Sequence, residues 1–218
     1  MLSRKENLAL RSKKVVVVGC GGLGGYIIEL LARLGVGHIT AIDGDVFDES
    51  NLNRQLFATP FNLGKPKAIA AMHRIQLINP DINIKAVQKI ITSENATALL
   101  RGHDVVCDAL DNIETRFLIQ NTSAALGTPL VFGAIAGWYG KVATIFPGDN
   151  LLNRLYKNRM EKGIESQLGN PSFTPALVAA IQVSEVVKIL TNKDGLLRNR
   201  FLMIDTLNHE YEVFDLKD

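Results

Sequence analysis

Cysteine is scarce in this chain and neither sign of charge is in excess, and each shortage excludes a class of protein. Among 218 residues there are two cysteines, Cys20 and Cys107, and they do not form a C-x-x-C pair. Two cysteines are too few for a disulfide scaffold. Lys and Arg together number 24 against 22 for Asp and Glu, so the chain lacks the basic excess that general nucleic-acid binding requires.

Long apolar runs are missing as well. No such run reaches the ~18 residues of a membrane span, and the N-terminal segment MLSRKENLALRSKK lacks the apolar centre of a secretory signal. A cytoplasmic enzyme without a membrane partner is the default expectation. The apolar content is nevertheless 47 %, enough for a sizeable core, and the length favours one domain over residues 1–218.

Short apolar strands alternate with helical patterns along most of the chain. Strands are predicted at 15–19, 38–43, 82–87, 104–110, 130–134 and 142–146, helices at 23–34, 65–78, 94–101, 113–126 and 174–190, and a hairpin at 201–205 and 210–216. This alternation predicts an α/β fold, a doubly wound, mostly parallel Rossmann-like sheet with a C-terminal β-hairpin. Segment 149–171 breaks the alternation and is expected to be a functional or disordered loop.

A glycine-rich turn follows the first predicted strand. Gly19, Gly21 and Gly24 match G-x-G-x-x-G between a strand and a helix, and Asp43 ends the second strand about twenty residues further on. Such a turn brings backbone N–H groups close to a phosphate, and the acid suits ribose hydroxyls. The motif predicts an adenine nucleotide and leaves NAD and ATP both open.

The segment DGDVFDESNLNRQLF after the second strand favours ATP. A triphosphate needs cationic side chains and an acid for Mg²⁺. Arg54 lies in this segment, Lys67 in the first turns of the next helix, and Asp111 just beyond the strand DVVCDAL. Ligands of open parallel sheets bind at the carboxyl ends of the strands, and Gly19, Asp43 and Asp111 all fall at that edge.

Several longer strings identify a family. GCGGLGGYIIELLARLGVGHITAIDGDVFDESNLNRQ, GKPKA, DVVCDALDNIETR and PLVFGAIAGWYGKV closely resemble the ThiF/MoeB/HesA family, bacterial relatives of ubiquitin-activating enzymes. The resemblance implies ATP-dependent adenylylation of the C-terminal glycine carboxylate of a small ubiquitin-like sulfur-carrier protein (ThiS- or MoaD-like, ending in Gly-Gly). Pyrophosphate would be released, and the sulfur would enter a cofactor. The resemblance also implies a homodimer.

The resemblance assigns roles to individual positions of this chain. It implies that Arg54, Lys67 and Asp111 carry the chemistry, with Asp111 holding Mg²⁺, and that Asp43 holds the ribose. The other residues that the resemblance implies would contact the triphosphate or lie close to the metal. The implied nucleotide-binding set is Gly19, Gly21, Gly22, Asp43, Asp45, Asn51, Arg54, Gln55, Lys67 and Asn112.

The chain departs from the family pattern in three places. Many members carry two C-x-x-C pairs that bind zinc; none is present here, so no zinc is expected. The crossover segment 149–171 has no cysteine for a thioester or persulfide, and offers Glu165, Ser166 and Gln167 instead. The segment before residue 15 is too short for the family's Arg-bearing helix, which leaves Arg4 and Arg11 as candidate substitutes in a partner's site.

Other notable side chains have more ordinary interpretations. Cys20 and Cys107 are expected to pack as small apolar residues, and His103 to lie at the surface or to cap a helix. Trp138 and Tyr139 correspond to the position where the family receives the Gly-Gly tail, although core packing explains them equally well.

Three other functions remain to be weighed. One is adenylation of another substrate, such as a modified tRNA nucleoside, although the near-neutral charge makes a nucleic-acid partner a weaker expectation. The second is a nucleotide-dependent oxidoreductase. The third is a degenerate module that holds a carrier without activating it, which retention of Arg54, Lys67 and Asp111 together argues against. The sequence leaves the carrier, the pathway and the sulfur donor open.

Overall fold

An eight-stranded sheet runs through residues 2–156 and 169–216, the part of the chain that the structure, a computed structural model, describes. Its strands are β1 Lys14–Val18, β2 His38–Ile42, β3 Asn83–Val87, β4 Val105–Asp108, β5 Leu130–Ala136, β6 Tyr139–Ile145, β7 Arg200–Asp205 and β8 Glu210–Asp215. Their order is β3-β2-β1-β4-β5-β6-β7-β8. The pairs among the first five are parallel and the remaining three pairs are antiparallel.

Helices cover both faces of this sheet. They are α1 Arg4–Leu10, α2 Gly22–Arg33, α3 Lys67–Ile78, α4 Ala96–Leu100, α5 Ile113–Ala125, α6 Leu151–Leu155 and α7 Phe173–Leu190. Helices α2, α3 and α7 contribute to the core on one face, and α4, α5 and α6 to the core on the other. The predicted doubly wound, mostly parallel sheet with a C-terminal hairpin is confirmed.

The valines of β1 show why this strand occupies the centre. Val15 and Val17 enter the core on one face of the sheet, while Val16 and Val18 enter the core on the other. Side chains alternate between the two faces of a strand, so a strand covered by helices on both faces must be apolar at every position. The run of four valines meets that requirement.

The sequence analysis missed two local elements. Helix α1 begins with a capping box in which the Ser3 hydroxyl accepts from the Glu6 backbone N–H (3.2 Å) and the Glu6 carboxylate accepts from that of Ser3 (2.6 Å). The polar loop after β2 contains short 3₁₀ turns at Glu49–Asn51 and Pro60–Asn62. Such turns have no apolar period to reveal them.

Two further regions differ from expectation. Strands β5 and β6 form an antiparallel pair that extends to a tight turn at Gly137, which has a φ of +57°, so both strands are longer than predicted. Within segment 149–171 the structure places helix α6. Glu165, Ser166 and Gln167 lie outside the described residues.

By length and composition, helix α7 is apolar enough to cross a membrane, a test that no segment was expected to pass. However, 56 % of it is buried inside the protein. Its buried polar residues are bonded to the sheet: Gln182 donates to the carbonyl oxygen of Asp108 (2.8 Å), and Glu185 accepts from the Thr144 hydroxyl (2.7 Å). These contacts are those of a helix in a protein core.

Replacing Gly24 with alanine should weaken the contact between α2 and the glycine turn that follows β1. A Cβ atom there would lie 1.8 Å from the carbonyl oxygen of Gly19, whereas one at Gly22 would come no closer than 3.6 Å to the Pro175 Cβ. Overpacking costs about 1–3 kcal/mol. We expect Gly24→Ala to lower the free energy of unfolding by at least that amount, measured by urea denaturation.

Gly22→Ala, in the same helix, is the matched control, because the intrinsic helix preference for alanine is the same in both variants. Equal unfolding midpoints for the two variants would contradict the proposed backbone contact.

Candidate active site

A cleft lies at the carboxyl ends of the parallel strands. It encloses about 1030 Å³ of space, including its opening to solvent. The residues that line it include ten from the predicted nucleotide and metal site: Gly19, Gly21, Gly22, Asp43, Asp45, Arg54, Gln55, Lys67, Asp111 and Asn112. Residues separated by up to 93 positions are therefore brought together where the sheet topology predicts a ligand.

Asn51 is the predicted site residue that does not line the cleft. Its side chain is buried, and its Oδ1 accepts from the Asp48 backbone N–H at 3.1 Å. It thereby shapes the 3₁₀ turn whose Ser50 carbonyl accepts from the Arg54 guanidinium at 2.7 Å. In this structure Asn51 supports the loop that positions Arg54.

The glycine turn after β1 leaves backbone donors free at the floor of the cleft. Gly19 has a φ of +97°, and a Cβ atom there would lie 2.5 Å from the carbonyl oxygen of Ala109. Helix α2 then begins at Gly22 with Gly21 as its N-cap, and no side chain caps it. The first N–H groups of such a helix lack partners within the helix and suit an anion.

Asp43 is held by the two loops that meet at this floor. Its carboxylate accepts from the backbone N–H of Cys20 at 2.7 Å and of Asp45 at 2.8 Å. Burial raises the pKa of Asp43, while these two bonds and Lys67 oppose the rise. The carboxylate is thus fixed in orientation at the end of β2, beside the glycine turn.

The cations of the site lie on the loop after β2 and on α3. Lys67, the first residue of α3, is buried and its Nζ lies 3.2 Å from Asp45 Oδ2. Arg54 is half-buried and, besides Ser50, donates to Asn53 Oδ1 at 2.9 Å. Among the described residues, the buried Lys67 ammonium pairs only with the exposed Asp45 carboxylate, so it remains available to a phosphate that enters the cleft.

Asp111 and Asn112 follow β4 on the other side of the cleft. Asn112 caps α5, since its Oδ1 accepts from the Thr115 N–H at 3.0 Å. Asp111 is exposed and lines the cleft. Within residues 2–156 and 169–216, no cluster of three or more His, Cys, Asp or Glu side chains could hold a metal by itself. One free carboxylate is the donor set that Mg²⁺ uses when substrate phosphates complete its coordination.

Two buried oxygens at the cleft lack a hydrogen-bond partner within the described protein. They are Gln55 Oε1 and Asn170 Oδ1. Both residues line the cleft, and a Cβ atom at Gly21 would lie 3.4 Å from the Gln55 amide nitrogen. Buried polar atoms rarely remain unpaired, so these side chains fit a site that a polar ligand completes.

Sequence reasoning missed a buried ion pair beneath the cleft. Arg116 Nη1 lies 3.6 Å from Asp108 Oδ2, and both side chains are at most 2 % exposed. The guanidinium also donates to the carbonyl oxygens of Gly133 (2.8 Å) and Leu110. Burial raises the pKa of Asp108, and Arg116 opposes the rise. The sequence did contain a signal for this pair. Arg116 is the arginine of D-N-x-x-x-R, and it lies in a helix that packs on the sheet.

Comparison with known proteins identifies the family of this chain. It matches the ThiF family over residues 2–218. The chain belongs to the ThiF family. Among curated relatives it is 35 % identical to a SAMP-activating enzyme E1 of Haloferax volcanii over 207 residues, covering 94 % of this chain and 77 % of the relative. It is also 35 % identical to a sulfur carrier protein adenylyltransferase of Thermus thermophilus over 218 residues, covering 95 % and 80 %.

A longer relative and a solved structure also match this chain. A sulfur carrier protein ThiS adenylyltransferase of Bacillus subtilis is 33 % identical, and this chain covers 56 % of its length. The E. coli MccB structure with AMPCPP and MccA superposes with a TM-score of 0.83 at 19 % identity, covering 97 % of this chain and 66 % of that one. At that identity the structural likeness shows the fold alone.

Four residues discussed with the ThiF resemblance lie outside the cleft. Arg4 and Arg11 are exposed on and just after α1. Trp138 is 43 % exposed and packs against Phe173, with ring centroids 4.8 Å apart, and Tyr139 begins β6. The interpretation of Trp138 as a core residue is therefore wrong, because its ring is exposed next to that of Phe173.

Replacing Arg116 with methionine should destabilise the protein. The change removes the buried partner of Asp108 and two bonds to carbonyl oxygens. Removing one member of a buried ion pair costs about 3–5 kcal/mol, and we expect a loss of that size in the free energy of unfolding, measured by chemical denaturation.

The double variant Asp108→Leu, Arg116→Met is the control, because removing both charges should restore part of the loss. Strictly additive losses would show that the two charges do not interact.

Proposed function

We propose that this ThiF-family chain uses ATP to adenylylate the C-terminal glycine carboxylate of a small ubiquitin-like sulfur-carrier protein. The observation that carries the proposal is one cleft in which Lys67 and Arg54 lie opposite Asp111, above the uncapped start of α2. Relatives of the same family that are named sulfur carrier protein adenylyltransferases support the choice of substrate.

The chemistry follows from the charges in the cleft. An oxygen of the carrier carboxylate attacks the α-phosphorus of ATP; a C(O)–O–P bond forms and the bond to the bridging oxygen breaks, so that pyrophosphate leaves. No protein base is needed, because a carboxylate is ionised at neutral pH. Lys67 and Arg54 stabilise the negative charge that develops on the phosphate oxygens, while Asp43 orients the ribose.

Mg²⁺ is part of the proposal. Asp111 would hold it, with Asn112 and Asp45 nearby, and when bound it neutralises phosphate charge. Gly21 and Gly22 leave room for the nucleotide beside the Gln55 amide.

The partners of the reaction are also proposed. The carrier ends in Gly-Gly, and the enzyme acts as a homodimer in which Arg4 or Arg11 reaches the site of the other subunit. The exposed ring of Trp138 next to Phe173 is a contact surface for the carrier's tail. We place the reaction in the cytoplasm, where the two free cysteines stay reduced, for sulfur incorporation into a cofactor.

Replacing Asp111 with asparagine should lower carrier-dependent ATP–pyrophosphate exchange by ~100-fold or more, because the carboxylate that anchors the metal is lost. The fold should persist, since Asp111 is exposed. The assay uses candidate carriers that end in Gly-Gly.

Glu114→Gln, which removes a neighbouring exposed acid outside the cleft, is the control and should exchange at the wild-type rate. Near wild-type exchange by Asp111→Asn would remove this residue from the mechanism.

The reaction should stop at the carrier adenylate. Cys20 and Cys107 are both buried, and burial raises the pKa of each thiol, so neither supplies a thiolate that could attack the adenylate. Mass spectrometry of the enzyme with ATP and carrier should detect carrier adenylate and no thiol-reducible conjugate. The double variant Cys20→Ala, Cys107→Ala should retain exchange.

A reducible enzyme–carrier conjugate that disappears with either substitution would show that one of these cysteines is catalytic.

A further inference from the structure

A second recess lies at the amino ends of the parallel strands, away from the cleft. Its lining includes Lys14, His38, Thr40, Lys85, Arg101 and His103; these six residues define the basic groove. It encloses about 870 Å³, including its opening to solvent. The groove shares no lining residue with the nucleotide cleft.

Strand register explains why these side chains share one face. Lys14 pairs with His38 and Val16 with Thr40, while His38 pairs with Asn83 and Thr40 with Lys85. Each of these residues is an even number of positions from Val18, Ile42 or Val87, which enter the core on the face covered by α4. The polar side chains at the amino ends of these strands therefore lie on the same face of the sheet as the apolar residues beneath α4, but beyond the end of that helix.

The shortness of α4 leaves this end of the sheet open. Its five residues span about 7–8 Å at helical rise, whereas the five residues of β2 span about 16 Å at strand rise. His103 closes part of the gap: its Nδ1 lies 3.0 Å from the Leu100 carbonyl oxygen and its Nε2 lies 2.9 Å from the Thr40 hydroxyl. His103 was expected either at the surface or as a helix cap, and its contact with the Leu100 carbonyl at the end of α4 is that of a cap.

The groove carries positive charge with no acid among its lining residues. Within the described chain, no hydrogen bond or ion pair engages the side-chain cations of Lys14, Lys85 or Arg101. A neighbouring carboxylate outside the lining, Asp104, accepts from the Lys14 backbone N–H at 2.7 Å and lies 3.8 Å from the Lys13 ammonium. Burial lowers the pKa of His103 and the charges of Lys14 and Lys85 lower it further, while the bond to the Leu100 carbonyl and the charge of Asp104 oppose the fall.

Structural roles account for only part of this cluster. A lysine on the edge strand β3 would discourage pairing with another sheet, and this suffices for Lys85. Lys14 lies on the inner strand β1, and Arg101 follows α4. Three cations from separate elements line one recess beside the His38 imidazole, and cationic side chains are the donors that an anion site uses.

We propose that the basic groove binds the phosphate group of a small phosphorylated molecule. A phosphate accepts several hydrogen bonds at once and so uses the guanidinium and both ammonium groups. The groove is a local recess between α4 and the sheet, and the chain has an excess of only two positive charges. Those features favour a compact ligand over an extended nucleic-acid backbone, which needs a longer basic surface.

The test is calorimetric titration with inorganic phosphate and, separately, glycerol 3-phosphate. A non-hydrolysable ATP analogue fills the cleft first, so that binding there does not contribute. Wild-type protein should bind either probe saturably at one site, and the imidazole NMR signals of His38 and His103 should shift. Lys85→Gln with Arg101→Gln should weaken binding at least tenfold.

The matched control is Lys5→Gln with Lys65→Gln, which removes the same charge from exposed positions outside the groove. It should bind phosphate like the wild type. Equal weakening in both double variants, or no saturable binding by the wild type, would overturn the proposal. A single-stranded RNA oligonucleotide that binds more tightly than either probe and displaces it would overturn the small-molecule assignment.

The groove variant should keep wild-type pyrophosphate exchange. Adenylylation and phosphate binding in the groove can therefore fail separately. The groove substitutions leave the residues of the cleft unchanged, and the titration measures the groove after the cleft has been filled.

Discussion

The buried pair of Asp108 and Arg116 joins the elements on which the cleft rests. Arg116 projects from α5, bonds to the carbonyl oxygens of Leu110 and Gly133, and faces the carboxylate at the end of β4. Gln182 of α7 reaches the Asp108 carbonyl from the other layer. A charge pair this deep contributes little net stability. Its structural consequence is that the backbone just before Asp111 is tied to two strands and two helices.

The same region is the topological switch point of the sheet, where the strand order reverses. The chain proceeds outward from β1 to β3, then returns to place β4 on the other side of β1. Loops after β1 and β4 diverge to opposite faces there, and the crevice between them receives the ligand. Gly19 and Ala109 are in near contact at this point, since a Cβ on Gly19 would lie 2.5 Å from the Ala109 carbonyl oxygen. Hence only glycine fits the turn.

A residue's role could be predicted from the sequence where a local pattern determines it, and could not where it depends on how distant elements pack together. The valines of β1, the glycine turn and the acids after β2 and β4 follow from strand period and from where parallel strands end, so the fold and the place of the cleft were predictable from these residues. The family resemblance was needed for four further cleft residues, Gly22, Asp45, Gln55 and Asn112. Asn51 was assigned to the nucleotide from the family resemblance alone, whereas its side-chain oxygen is bonded within its own turn. The Asp108–Arg116 pair depends on how α5 packs on β4 and β5, which no local pattern encodes.

The two edges of the sheet require different means of holding an anion. At the carboxyl edge, α2 begins at the glycine turn, so backbone N–H groups and the positive end of a helix dipole are already directed at the ligand. At the amino edge helices end, and the Leu100 carbonyl at the end of α4 is directed toward the basic groove, where His103 meets it. Carbonyl ends repel anions. An anion site at the amino edge must therefore be built from side-chain cations strong enough to outweigh the backbone, and Lys14, Lys85 and Arg101 are the cations placed there.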